Sequence, residues 1–90
     1  MEVRRELAIV NVKGLHARAS ARFVETVESF DALAYVSRDG QTVAGDSIMG
    51  LLMLAASSGT SIEVRTTGPD AGELADALEK LVAGKFGEAA

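Results

Sequence analysis

The only histidine of the chain, His16, stands in the stretch GLHARASARF, from Gly14 to Phe23, with Arg18 two residues after it. An amphipathic helical pattern begins directly after His16. The start of a helix offers unpaired backbone N–H groups and a dipole that favour anions. The same positive field disfavours imidazolium, which indicates a neutral, nucleophilic ring beside donors for a phosphoryl group. A plain capping or surface histidine is the alternative.

The rest of the sequence lacks the other parts of a hydrolytic or metal site. There is no second histidine, no cysteine and no glycine-rich G-x-x-x-x-G-K loop. A single histidine also excludes a multi-histidine metal centre, so we expect neither metal nor cofactor. His16 is suited to accept a phosphoryl group, but the chain has no machinery to generate or to use one. This combination predicts a covalent carrier that larger enzymes load and unload, rather than an independent catalyst.

A second segment of interest begins at Ser47, which precedes the apolar run IMGLLMLAA. Serine before a helical run typically contributes about 1 kcal/mol as an N-cap. A helix that is apolar on all sides is usually buried, but a thin two-layer domain can bury only one stripe of it. Adaptable methionines on an exposed face suit a surface that meets several partners, whereas a wholly buried helix or an oligomer contact is the alternative. The candidates for that face are Ile48, Met49, Leu52 and Met53.

Length and charge limit the function further. Ninety residues make one domain, residues 1–90. The net charge of −4, with nine basic residues scattered among thirteen acidic ones, argues against a nucleic-acid binder. The amino-terminal segment does not resemble a signal peptide, and no run approaches the roughly 20 apolar residues of a membrane span. We therefore expect a cytoplasmic protein without membrane insertion.

The elements that must position these residues follow from apolar spacing and turn residues. Residues 5–10 predict a strand, and residues 17–30 predict a helix. Asp39-Gly40 predicts a hairpin between strands Leu33–Arg38 and Gln41–Ala44. The apolar stripe of the first helix is predicted as Ala17, Ala21, Phe23, Val24, Val27 and Phe30.

The remaining elements are a helix after Ser47, a strand over Ser61–Thr67 and a last helix. For the last helix, Asp70 and Glu73 fit a capping box, Asp76 and Lys80 fit an i, i+4 ion pair, and Gly84 predicts the end. The order β-α-β-β-α-β-α predicts an α+β open-faced sandwich. Its mainly antiparallel four-stranded sheet would carry three helices on one face.

Two motifs carry a resemblance to a known family. GLHARASARFV resembles the phosphorylation-site segment of HPr, the histidine-containing phosphocarriers of the bacterial phosphoenolpyruvate-dependent phosphotransferase system. GDSIMGLLMLAA, from Gly45 to Ala56, is similar to the family's second signature, which holds a regulatory serine. The length, the element order and the GPD start of the last helix match as well, so the resemblance covers nearly the whole chain.

The resemblance implies strand order 1-4-2-3 and a monomeric carrier in sugar transport. It implies phosphorylation of His16 at Nδ1 by Enzyme I, with Arg18 holding the phosphate, and transfer to an EIIA-type acceptor. It matches Ser47 to the serine modified by HPr kinase/phosphorylase. The docking surface it implies consists of Ile48, Met49, Leu52 and Met53.

Two positions depart from the family pattern. Ala19 stands where proline is usual, which is more similar to regulatory or nitrogen-branch phosphocarriers. Asp46 stands where lysine is common in kinase-regulated members. Two other functions therefore stay open beside sugar transport. One is a mainly regulatory protein that signals through the phosphorylation states of His16 and Ser47, and the other is a non-catalytic interaction module.

Overall fold

The computed structural model describes residues 1–90 as four strands and three α-helices in the predicted order. A 3₁₀ turn, which the sequence did not predict, follows the last helix. The strands are β1 (Glu2–Ala8), β2 (Leu33–Arg38), β3 (Gln41–Ala44) and β4 (Ser61–Thr67). The helices are α1 (Ala17–Glu28), α2 (Ile48–Met53) and α3 (Ala71–Ala83), and the 3₁₀ turn is Lys85–Gly87.

The sheet has the order β1-β4-β2-β3, as the family resemblance implied, and all neighbouring strands are antiparallel. β4 lies at its centre, where Val64 pairs with Arg5 of β1 on one side and Val36 of β2 on the other. Side chains of β4 alternate between buried and exposed, with Ile62 and Val64 buried as predicted. One face of the sheet therefore meets the helices, and the fold is the α+β open-faced sandwich.

The hydrophobic core lies between the sheet and the helices. Each helix contributes a fully buried side chain: Phe23 from α1, Leu51 from α2 and Leu74 from α3. Phe86, from the 3₁₀ turn, is buried in the same core. The residues after α3 are thus part of the packed structure.

The sequence predicts β1 over residues 5–10, α1 over residues 17–30 and an end of α2 at Ser58-Gly59, and all three bounds were wrong. α1 ends at Glu28 and β1 at Ala8. β1 begins at Glu2, where ion pairs to Arg4 at 3.0 Å and Arg65 at 3.6 Å stabilise a charged strand end. α2 ends at Met53 because Ala55 adopts a left-handed φ of 51°, which cannot continue a helix.

The predicted buried stripe of α1 was wrong at its start. Ala17 is exposed and Ala21 is half-buried, whereas Ala19 and Ser20 are fully buried. Ala19 and Ser20 precede Phe23 and Val24 by three or four residues, so they belong to the same buried stripe, and the predicted stripe was out of phase with it at Ala17 and Ala21. Phe23, Val24 and Val27 are buried as predicted.

Two local interactions predicted for α3 were also wrong. Asp70 occupies the N-cap position, but its carboxylate accepts the N–H of Asp31 at 2.9 Å instead of an N–H of α3. Asp76 accepts from Arg5 at 2.9 Å in place of the expected pair with Lys80. In both cases a tertiary partner replaces the local one. Gly84 ends the helix as predicted.

Candidate functional site

The turn before α1 fixes where His16 lies. Gly14 has φ of +66°, and a Cβ there would lie 2.6 Å from the carbonyl oxygen of Ala56. The next residue, Leu15, is buried and donates its N–H to that same oxygen at 2.9 Å. The chain that follows α2 therefore backs this turn and leaves space for glycine alone. His16 emerges at the N-cap of α1 with extended backbone.

The two ring nitrogens of His16 have different partners. Nδ1 accepts the backbone N–H of Arg18 at 3.3 Å, and Nε2 contacts the Oε2 of Glu88. A backbone N–H can only donate, and an ionised carboxylate can only accept. Both contacts therefore select one tautomer of the neutral ring, with the proton on Nε2 and the lone pair on Nδ1.

Glu88 is held by a second polar residue. Its Oε1 accepts from the Nδ2 of Asn11 at 3.0 Å, and the same amide nitrogen donates to Gly14 O at 2.8 Å. The hydrogen bond from Asn11, then the contact with His16 and the nearby charge of Lys13, hold the pKa of Glu88 below its ordinary value. Glu88 is therefore ionised at neutral pH.

The first turn of α1 contains backbone N–H groups without an acceptor, next to the N–H of Arg18 that contacts Nδ1. Ser20 donates its N–H to His16 O at 2.8 Å, which starts the helical ladder. The N–H groups of Ala17 and Ala19 have no acceptor in the chain, as expected for a helix start. Ala19 contributes such a donor because it is not proline.

An open cleft of about 530 Å³ lies beside the imidazole. Lys13 and Arg18 line it together with His16 and Glu88. Arg18 is exposed, so its guanidinium is free to meet an anion in the cleft. The structure thus brings the two predicted residues, His16 and Arg18, into one site that combines a nucleophilic nitrogen with cationic groups.

Ser47 and its helix lie outside the cleft lining. The Ser47 hydroxyl accepts the N–H of Gly50 at 3.0 Å, so this residue is the N-cap of α2, as predicted. Met49 is 69% exposed, Met53 65% and Ile48 39%, whereas Leu52 is half-buried. We call this surface the α2 patch, and it consists of Ile48, Met49, Leu52 and Met53.

Sequence reasoning missed Glu88 and Asn11. Glu88 lies 72 residues from His16 and 77 residues from Asn11. It stands in the short segment GEAA after the predicted end of α3, with no periodicity or motif to mark it. Only the turn that buries Phe86 brings this carboxylate to the histidine, and nothing in the sequence predicted that turn.

No three His, Asp or Glu side chains lie close enough together to hold a metal ion. None of the helices is long and apolar enough to span a membrane.

A family model described as "PTS HPr component phosphorylation site" matches residues 3–84 and stops before Glu88. The match therefore includes His16, Arg18 and the whole α2 patch.

Individual relatives cover nearly the whole chain. Phosphocarrier protein HPr of Neisseria meningitidis is 45% identical over 86 residues, covering 96% of this chain and 97% of that protein. HPr of Cupriavidus necator is 44% identical, with the same coverage. The crystal structure of HPr-C-His from Thermoanaerobacter tengcongensis aligns with a TM-score of 0.88 at 39% identity, covering 100% of this chain and 99% of that one. The chain belongs to the HPr family, the phosphocarrier proteins of the phosphotransferase system.

Proposed function

We propose that His16 accepts a phosphoryl group from phosphorylated Enzyme I on its Nδ1 atom and passes it to an EIIA-type acceptor. The observation that carries this proposal is the pair of contacts on the ring. They leave the lone pair on Nδ1, at the end of α1 where N–H groups are free. That atom is thus both nucleophilic and next to donors for the incoming oxygens.

The transfer step needs no proton to leave His16. The Nδ1 lone pair attacks phosphorus, the new N–P bond forms, and the bond between phosphorus and the donor breaks. Nε2 keeps its proton, so the ring gains positive charge as the phosphoryl group arrives. The N–H of Arg18, which points at Nδ1 in the free protein, then donates to a phosphoryl oxygen instead. Transfer to the acceptor reverses these events.

Arg18 supplies an exposed cation to the site in this proposal. Its guanidinium lines the cleft and is exposed, so it reaches phosphoryl oxygens without first breaking a buried interaction. A guanidinium can donate two parallel hydrogen bonds to a phosphoryl group. Arg18 therefore orients the group during transfer and stabilises the phosphorylated state.

The α2 patch is the docking surface for Enzyme I and the EIIA-type acceptor in this proposal. Three of its side chains are exposed and two are methionines, which adapt to partners of different shape. Burial of such a patch supplies affinity without a directional requirement. The carrier acts as a monomer in the cytoplasm, and its phosphoryl group serves sugar uptake.

Ser47 is the regulatory position of the proposal, modified by HPr kinase/phosphorylase. Its hydroxyl caps α2 next to the patch, so a phosphate there adds about −1.5 to −2 charges at the edge of the docking surface. The helix start tolerates that charge, whereas an apolar partner surface does not. Phosphorylation of Ser47 therefore reduces transfer to His16 while the fold persists.

Labelling with phosphoenolpyruvate and Enzyme I tests the proposal. We expect an acid-labile, alkali-stable phosphate on the wild-type protein, none on His16→Ala, and loss of the label when an EIIA-type domain is added. His16 lies at the surface end of α1, so the variant should retain its fold by circular dichroism. A label that persists on His16→Ala would refute the proposal. A wild-type protein that takes no label would favour the interaction module.

A further inference from the structure

The segment that carries Glu88 has an unusual backbone. After Gly84 ends α3, three consecutive residues adopt left-handed φ values: Lys85 at 59°, Phe86 at 55° and Gly87 at 80°. Side chains other than glycine disfavour this region, and two such residues in a row are costly. Backbone strain of this kind persists only where the surrounding structure compensates for it, and it concentrates at functional sites.

Packing holds this segment, Gly84–Glu88, which we call the strap. Phe86 is fully buried in the core. The N–H of Gly87 donates to Gly84 O at 3.0 Å, and the N–H of Glu88 donates to Lys85 O at 2.9 Å. The strap is therefore anchored in the core by Phe86, and it positions the Glu88 side chain, which is 17% exposed, against the ring of His16.

We propose that Glu88 is a positioning residue for phosphoryl transfer, which holds His16 in the Nε2–H tautomer and stabilises the positive charge that develops on its ring. This inference rests on the proposed function and concerns a residue outside the segment that the family model matches. Glu88 acts through His16, since its Oε2 contacts Nε2 and not the atom that takes the phosphoryl group.

The carboxylate of Glu88 lies where it can stabilise the positive charge that forms on the ring during phosphorylation. A neutral ring that keeps its Nε2 proton becomes cationic once Nδ1 binds phosphorus, and a carboxylate opposite Nε2 stabilises that cation. Nδ1 and Nε2 lie on different sides of the imidazole. The carboxylate is therefore separated by the ring from the incoming oxygens, which meet Arg18 and the N–H groups of α1.

Asn11 supports this arrangement, although its own side-chain oxygen is left without a hydrogen bond. Its amide nitrogen donates to both Gly14 O and Glu88 Oε1, while its own Oδ1 is buried without a partner. A buried acceptor left unpaired is unfavourable, so the orientation of this amide requires an explanation. The explanation is that Asn11 fixes one oxygen of Glu88 and leaves the other for His16.

Two variants of Glu88 and one control separate positioning from simple packing. Glu88→Gln keeps the shape and an acceptor oxygen but removes the charge, and Glu88→Ala removes both. Glu25→Gln makes the same charge change at an exposed position of α1. All three retain Phe86, so the strap stays anchored, and thermal unfolding checks the fold. The readouts are the rate of His16 phosphorylation by Enzyme I and the ring-nitrogen NMR shifts of the unphosphorylated protein at a pH where the ring is neutral.

A charge-assisted hydrogen bond of ordinary strength corresponds to about ten- to a hundredfold in rate, and partial exposure favours the lower figure. We expect Glu88→Ala to lower the rate about tenfold and to shift the ring from the Nε2–H form toward a mixture of tautomers. Glu88→Gln should also be slow but should retain more of the Nε2–H form, and Glu25→Gln should match wild type in both readouts. If wild type takes no label, the proposed function fails while the NMR shifts still decide the contact. A wild-type rate or a wild-type tautomer in Glu88→Ala overturns the inference.

Discussion

At the scale of single residues, the two ring nitrogens of His16 have different partners, and the proposed function depends on that difference. Nδ1 accepts the backbone N–H of Arg18, Nε2 contacts the carboxylate of Glu88, and the side chain of Arg18 supplies a cation that lines the cleft. The sequence alone correctly predicted the position of His16 before a helix, and its role as a nucleophile stays a prediction. The resemblance added Arg18. The carboxylate could not be predicted, because Glu88 reaches His16 only through the folded strap.

Replacement of Arg18 should affect transfer and leave stability nearly unchanged. Arg18→Ala removes the guanidinium from the cleft and should slow phosphorylation of His16 about tenfold or more, as for loss of a charged hydrogen bond. Arg18→Lys should recover part of the rate, because it keeps the charge without the two-pronged geometry. The free energy of unfolding should change by less than about 1 kcal/mol. Arg4→Ala, a change at an exposed arginine of β1, is the control, and an Arg18→Ala rate equal to that of the control would contradict the role of Arg18.

The contribution of Glu88 to stability should depend on pH. The folded protein holds the pKa of Glu88 below its ordinary value, chiefly through Asn11 and then through His16 and Lys13. A carboxyl group whose pKa is lower in the folded protein contributes its full stabilisation of the fold above its unfolded pKa of about 4.3. That stabilisation is lost as the pH falls through the folded pKa. Tm of wild type should therefore exceed that of Glu88→Gln at about pH 6, and the gap should narrow as the pH falls below about 4.3. A gap that stays constant over this range would show that the charge of Glu88 does not matter.

At the scale of elements, the starts of α1 and α2 serve different purposes. α1 begins with a histidine cap and free N–H groups, whereas the hydroxyl of Ser47 satisfies the N–H of Gly50 at the start of α2. The apolar run after Ser47 correctly predicted an exposed face. The end that it predicted for α2, at Ser58-Gly59, was wrong, because the left-handed φ of Ala55 ends the helix earlier.

The first turn of α1 should accept proline. Ala19→Pro removes an N–H that has no acceptor and restricts φ to a helical value, so it should stabilise the protein by about 0.4–1 kcal/mol. Ala21→Pro is the matched control, because its N–H lies within the helical ladder, and it should cost about 3 kcal/mol or more. Urea unfolding measures both. A loss above about 1 kcal/mol in Ala19→Pro would show that the buried position cannot hold the ring.

A charge placed in the α2 patch should weaken partner binding without unfolding the protein. Met49→Glu puts a carboxylate where an apolar partner must desolvate it, and Kd for Enzyme I should rise at least about tenfold, equivalent to about 1.4 kcal/mol. Leu33→Glu adds the same charge at another exposed apolar residue, in β2, and should leave Kd near wild type. Calorimetric titration gives both values. Equal affinities for the two variants would rule out the α2 patch as the docking surface.

At the scale of the whole molecule, features with local sequence signals were predicted, whereas features that depend on long-range contacts were not. The hairpin bounds and β4 were predicted residue for residue, because Asp39-Gly40 and the alternation around Ile62 are local signals. The strand order came from the family resemblance. The predictions that failed at Asp70 and Asp76 failed because tertiary partners replaced the expected local ones.

The strap should also matter for the stability of the whole fold. Phe86→Ala removes a fully buried aromatic ring and should cost about 3–5 kcal/mol, which is a large part of the stability of a domain this size. The measurement is urea unfolding beside Lys85→Ala, an adjacent half-buried position. A loss below about 1 kcal/mol in Phe86→Ala would mean that the residues after α3 are not anchored by the core.

The most direct test of the central claim is the position of the phosphorus on the imidazole. The protein is prepared with isotopically labelled histidine nitrogens, phosphorylated by Enzyme I and phosphoenolpyruvate, and studied by NMR under alkaline conditions. We predict direct phosphorus–nitrogen coupling at Nδ1 of His16, with the proton on Nε2, because the contacts with Arg18 and Glu88 leave the lone pair on Nδ1. Coupling at Nε2, or a phosphate bound anywhere other than His16, would contradict this account.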